Sequence, residues 1–173
     1  KEYEIELDLK GNKKSENKFD AFLLSSAIQI KKDLFPKIHN SITEVLENLN
    51  LDENYRFFVT PNNADANAYC KVLPKSDRAD IVFTSRLIEL LDEDEIKYVI
   101  GHEIAHYVYQ HYLYPKNEDF NSDNLKYFNS LNLSKSAEIS ADRLGFLAIG
   151  DLEKALKVMV KISSGLSSKH IQF

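Results

Sequence analysis

The sequence predicts an α+β domain in which a small mixed sheet packs on a helical bundle. Two observations carry this. Three short runs rich in aromatic and β-branched residues, "YRFFVT" (Tyr55 to Thr60), "ANAYCKV" (Ala66 to Val72) and "ADIVFT" (Ala79 to Thr84), follow one another with only turn-forming segments between them. On either side of them, apolar residues recur at helical spacing. No linker, repeat or low-complexity tract divides the 173 residues, so residues 1–173 are expected to form one domain with a single core.

The elements follow in order. "YEIELDL" (Tyr3 to Leu9) alternates apolar and acidic residues and predicts a strand with one wet face. "KGNKKSEN" predicts a loop, and the lysine-rich stretch Lys10 to Lys18 a solvated one. From Phe19 to Asn50 the apolar positions Phe22, Leu23, Ala27, Ile30, Leu34, Ile38, Ile42, Val45 and Leu49 predict helix. Pro36 should kink it or break it in two, because proline removes a backbone donor and clashes with the preceding turn. "PNNAD" and "LPKSDR" read as turns between the three strands.

After Ser85 the chain reads helical almost to its end. Asp92 is an N-cap candidate, Glu95 three residues on completes a capping box, and Glu93 and Asp94 suit the positive end of a helix dipole. Tyr112 to Ser122, with Pro115, Asn117 and Asn121, interrupts the pattern. A helix or helix pair follows to Ile149, then Gly150 as a C-cap and Asp151 as the cap of a last helix through Ser163.

The formal net charge of -5 argues against a general nucleic-acid binder, which needs clustered cations for phosphates. No apolar run reaches the roughly 18 to 20 residues of a membrane helix. The longest candidate, Phe19 to Ile30, is interrupted by Asp20, Ser25, Ser26 and Gln29. Cys70, the single cysteine, cannot form an internal disulfide. The chain begins at Lys1, so a preceding signal peptide, membrane anchor or cloning boundary is expected, and compartment and oligomeric state are left open.

Chemistry is concentrated in "VIGHEIAHYV" (Val99 to Val108). On a helix, His102 and His106 lie one above the other on one face, and both imidazoles can reach one Zn²⁺. Glu103, one step round, stands beside such an ion, where a general base for an activated water belongs. A catalytic zinc takes three protein ligands and keeps one position open. The best source of the third is "SKSAEISADRLG" (Ser134 to Gly145), which puts Glu138 and Asp142 on one helix face, each preceded by a small residue, Ala137 or Ala141, that permits close helix packing. Glu138 would complete the ligand set, and Asp142 would bond the free ring nitrogen of a ligand histidine. The same spacing suits a solvated acidic face with Asp142 paired to Arg143 or a lysine, and the residues alone leave both readings open. His111 continues the pattern five residues past His106 and should point well away from the metal face; His39 and His111 read as surface or hydrogen-bonded histidines. An oxyanion stabiliser is chemically needed, but spacing does not choose among nine tyrosines and His170.

Taken together, "ANAYCKV", "IVFTSRLIELLDEDEIKYVIGHEIAHYVYQH" and "SKSAEISADRLG" resemble the gluzincin metallopeptidases that include the HtpX-like and CAAX-prenyl-type proteases. The resemblance covers about half of the chain, Ala66 to Gly150. It implies a zincin-like fold with an active-site helix and a glutamate helix, and one catalytic Zn²⁺ on His102, His106 and Glu138. It further implies Glu103 as general base and acid, and Asp142 as the aspartate that orients a ligand histidine. Asn67 and Ala68 match the start of the strand that rims the cleft, whose edge can bind an extended peptide by main-chain hydrogen bonds. The chain departs from the family pattern in three places. "LPKSDR" stands where a glycine-rich turn is common, Ser134-Lys135 where Ser-Arg is common, and the family's C-terminal histidine could only be His170. The implied activity is zinc-dependent endopeptidase cleavage of a protein or peptide substrate. The rival is a latent or non-proteolytic zinc protein that binds a partner through the same cleft, for example with "SSKHIQF" blocking it.

Overall fold

In the computed structural model of the protein, the described residues are 21, 23, 25–52, 54–72, 78–114 and 124–171. The expected strand at Tyr3–Leu9, the lysine-rich stretch, most of "LPKSDR" and most of the break at Tyr112–Ser122 lie outside them.

The elements are β1 (Ile28–Gln29), α1 (Pro36–Asn48), β2 (Tyr55–Thr60), β3 (Ala68–Val72), β4 (Ala79–Thr84), α2 (Ser85–Leu90), α3 (Glu95–Val108), α4 (Asn124–Ile149) and α5 (Leu152–Ser164). Single 3₁₀ turns lie at His111–Leu113 and Ser168–His170. The fold is α+β, and its sheet is mixed: order β1-β2-β4-β3, with β2 and β4 parallel and the outer pairs antiparallel. The central strand β4 is buried along its whole length, and its one charged residue, Asp80, is paired with Arg56 of β2. Two predicted strands match the observed ones to the residue; the third begins at Ala68 rather than Ala66.

The long helix expected from Phe19 to Asn50 is corrected. Residues 21, 23, 25 and 26 are helical, but Ile28–Gln29 form a strand against Val59 and Phe58, and the Ile30 N–H extends the pairing to the Phe57 carbonyl at 2.8 Å. Helical spacing of Ala27 and Ile30 was outweighed by an open edge on β2. The helix then restarts with Pro36 in its first turn, where the missing N–H costs nothing.

The main core lies between one sheet face and the helices. Phe57, Ile81 and Phe83 of the sheet meet Val45, Leu87, Ile96, Ile100, Ile104 and Val158. A smaller cluster of Leu23, Phe58 and Val82 covers the opposite face. The capping box forms as expected: Asp92 Oδ1 accepts from the Glu95 N–H at 2.9 Å, and Glu95 Oε2 from the Asp92 N–H at 2.9 Å. Asp151 caps α5 through the Lys154 N–H at 3.1 Å.

Helix α3 runs beneath β3 and crosses α4 closely. Ala137 and Ala141 are both buried, as a tight contact requires. The tightest approach, however, is at two glycines. A Cβ on Gly101 would stand 2.6 Å from the Ala148 Cβ, and one on Gly145 would stand 2.8 Å from the Tyr98 carbonyl oxygen. No described helix is long and apolar enough to cross a membrane.

Candidate metal centre

The middle of α3 carries His102, Glu103 and His106. The middle of α4 carries Glu138 and Asp142, and the close crossing brings the two sets together. His102 and His106 face each other through their Nε2 atoms at 3.2 Å. Glu138 places Oε2 3.4 Å from His102 Nε2 and Oε1 3.9 Å from His106 Nε2. His102, His106 and Glu138 each offer one ligand atom, and these lie within 4.8 Å of one another. A tetrahedral zinc with bonds of about 2.0–2.1 Å separates its ligand atoms by about 3.3 Å, so the donor set fits such an ion in type and spacing.

Asp142 lies against the ring of His102. Its Oδ1 lies 3.0 Å from His102 Nδ1 and accepts from the Tyr98 hydroxyl at 2.8 Å, so it faces the imidazole rather than a solvated cation. With the Nδ1 hydrogen donated to Asp142, the His102 Nε2 lone pair is left facing Glu138. Tyr98 was not singled out among the nine tyrosines, yet it stands four residues before His102 on the same helix face, which is the signal that could have found it.

Glu103 is buried between α3 and β3, 7% exposed. Its burial, and then the nearby Glu138 carboxylate, push it up to about 8, against a single backbone hydrogen bond from Cys70 that pulls it down. That bond fits the ladder. The Thr84 N–H is bonded to the Asn67 carbonyl at 2.9 Å, so alternation along an antiparallel pair turns the backbone groups of Ala68, Cys70 and Val72 outward from β4. The strand therefore presents its open edge to α3 and the cleft. Burial raises the Cys70 thiol far above the range in which it would form a thiolate, which removes it as a nucleophile.

A cavity of about 300 Å³ opens here. Its wall includes Asn67 and Ala68 from the β3 rim, Tyr98, His102 and Glu103 from α3, and Glu138 from α4. Met159, Ile162 and Ser163 of α5 close its far side, a contribution that sequence spacing did not signal. His170 is exposed on its 3₁₀ turn, and neither it nor any other described residue from Ser167 to Ile171 lines the cavity.

His39 is half-buried on α1, with Thr43 Oγ1 3.5 Å from its Nδ1, away from this site. His111 corrects the expectation that it points well away. The helix ends at Val108, Gln110 turns left-handed at φ 57°, and His111 folds back until its Nδ1 is 3.1 Å from His106 Nδ1. Helical spacing failed because the helix stops before reaching it. Burial, then the His102 and His111 charges, hold His106 down at about 4, and burial also lowers His111.

A search of curated proteins found no match. The sequence profile of Peptidase family M48 matches residues 32–117, about half of the chain. The matched stretch contains Asn67, Ala68, His102, Glu103 and His106 and stops short of α4, so Glu138 and Asp142 enter by geometry. From α1 through the sheet to the two histidines of α3, the chain belongs to peptidase family M48, zinc metallopeptidases of the HtpX and CAAX-protease type.

Proposed function

We propose that the chain is a zinc-dependent endopeptidase, with His102, His106 and Glu138 as the metal ligands and Glu103 as the general base. The observation that carries this is the convergence of two imidazole Nε2 atoms and one carboxylate at 3.2–3.9 Å beside a second, buried carboxylate. Zinc held there supplies Lewis-acid polarisation of the scissile carbonyl and an acidified water.

The chain's own residues do the rest. Glu103 takes the proton of the attacking water and delivers it to the leaving amine. Asp142, braced by Tyr98, holds the His102 ring in the orientation that aims Nε2 inward. The substrate is a protein or peptide. Its backbone lies along the β3 rim that Asn67 and Ala68 contribute to the cavity, where the Ala68 carbonyl is turned outward from β4 and the Cys70 N–H is taken by Glu103. Strand addition reads main chain, so sequence selectivity falls to the walls contributed by α5.

The test is Glu103→Gln. It should keep stoichiometric zinc by atomic absorption and lose cleavage of casein and of a quenched peptide, while His106→Ala loses the metal. A Glu103→Gln protein that cleaves as fast as the parent would sink the mechanism. Unchanged zinc in His106→Ala would sink the site.

A further inference from the structure

His111 belongs to none of the roles above, yet it is buried directly behind His106. The turn at Gln110 delivers it there, and the rings of Tyr109 and Tyr114 pack against it at centroid distances of 5.7 and 5.3 Å. Its second nitrogen, Nε2, lies 3.0 Å from Ser140 Oγ. Ser140 Oγ in turn lies 2.8 Å from the Ala137 carbonyl oxygen and 3.0 Å from that of Ser136.

With all rings neutral, hydrogens can run in either direction along this series of contacts, and only one direction leaves His106 Nε2 free for a metal. In that direction the single Ser140 proton goes to the Ala137 or Ser136 carbonyl, which only accepts, and His111 Nε2 donates to Ser140 Oγ. A neutral imidazole has one N–H, so His111 Nδ1 is an acceptor, and the hydrogen between the two rings belongs to His106 Nδ1. That leaves the His106 Nε2 lone pair facing His102 and Glu138.

We infer that His111, with Ser140, is a positioning residue for the metal centre that locks His106 in its Nδ1–H tautomer with Nε2 free to coordinate. The inference rests on the reading of His106 as a ligand. It gives the two histidines separate supports of different chemistry. Asp142 serves His102 as a carboxylate that can only accept when ionised. His111 can donate or accept, and needs Ser140 to settle which. Ser140 sits two residues past Glu138, so the relay also ties His106 to the helix that carries the third donor.

The experiment uses the whole chain, metal-free and then titrated with zinc against a chromophoric chelator. Long-range ¹H–¹⁵N NMR of histidine-labelled, metal-free protein should show His106 as Nδ1–H in the parent. In His111→Phe it should move toward Nε2–H, the form a free neutral imidazole prefers, and zinc affinity should fall on the order of 10–100-fold. His111→Asn, whose amide oxygen can accept where Nδ1 did, should recover most of the affinity. Ser140→Ala should weaken zinc while Ser140→Thr does not, which keeps the test alive if His111→Phe fails to fold.

An Nε2–H His106 in the parent would overturn the inference. So would zinc affinity in His111→Phe and Ser140→Ala within about twofold of the parent, well short of the loss expected for such a support. Equal losses in His111→Phe and His111→Asn, matched by equal losses of metal-free stability, would reduce His111 to packing. A parent that binds no zinc, or a His106→Ala that binds it as the parent does, would instead overturn the proposed function itself.

Discussion

Helix α3 carries two buried glutamates eight residues apart, and the protein treats them oppositely. Glu95, 1% exposed, accepts from the Asp92 N–H and is paired with Lys161, itself 3% exposed on α5. Glu103, 7% exposed, has no cationic partner among the described residues, receives a backbone hydrogen bond from Cys70, and has a second carboxylate nearby. A buried charge held through one oxygen, Oε2, by both a backbone N–H and a buried cation is a fastener: it pins the first turn of α3 to α5. A buried carboxylate left without a cation is a cost the fold carries at a cleft, and perturbed groups of that kind gather where chemistry is done. Both are glutamates on one helix, so residue type says nothing about which is which; the surroundings decide.

The largest effect should separate the two by function. Glu103→Gln is expected to lower the rate constant for peptide cleavage by on the order of 10²–10⁴-fold, the usual contribution of a general base, while leaving the unfolding midpoint equal to the parent's or higher. Loss of stability and activity together would place Glu103 with Glu95 and dissolve the distinction. Next comes the fastener. Lys161→Met should cost about 3–5 kcal/mol in chemical denaturation, because it strands a buried charge. Adding Glu95→Gln should return much of that loss. If the double variant is no more stable than Lys161→Met, the pair is not an energetic unit. At temperatures where they remain folded, both proteins should cleave as the parent does.

What sequence could supply divides along the same line. The strands at Tyr55–Thr60 and Ala79–Thr84 were legible to the residue because aromatic and β-branched runs end at turn formers. The capping box and the His102–Glu103–His106 spacing were legible because a helix converts sequence interval into direction. The Glu95–Lys161 pair was not, since its partners are 66 residues apart and only packing joins them. Nor was β1, a two-residue strand that exists only because β2 offers it an edge. His111 escaped for a third reason: one left-handed residue, Gln110, redirects the chain after the periodic signal has stopped.

Between the two glutamates lies Gly101, and a smaller effect should come from filling it. An alanine Cβ there would press on Ala148 Cβ at 2.6 Å and on the Leu144 carbonyl oxygen at 2.9 Å, so α4 must move away. Alanine gains helix propensity over glycine, about 1 kcal/mol, but overpacking of this kind costs about 1–3 kcal/mol. Net destabilisation is therefore expected. Zinc affinity should fall as well, because the same crossing sets the distance between His102 and Glu138. A Gly101→Ala protein more stable than the parent, with unchanged zinc affinity, would show that α4 shifts freely and that the crossing does not hold the site.

The smallest effect sharpens the comparison from outside. Asp94, one residue before Glu95 but half exposed, is held below the usual carboxylate range by its hydrogen bonds to Lys154 and Lys97. Its folded pKa lies below its unfolded one, so its contribution to stability is present above the ordinary aspartate range and disappears as pH falls through the lowered value. Asp94→Asn should thus be slightly less stable than the parent near neutrality and converge with it in strong acid. The gap at neutral pH should also close in about 1 M salt, where the screening length is about 3 Å, because these charges meet in water. The Glu95–Lys161 pair is shut away from the same ions, and the loss in Lys161→Met should persist at that salt concentration. If salt erases both effects alike, Glu95 is solvated in solution, and the contrast between a fastened and an unfastened glutamate on α3 fails at its fastened end.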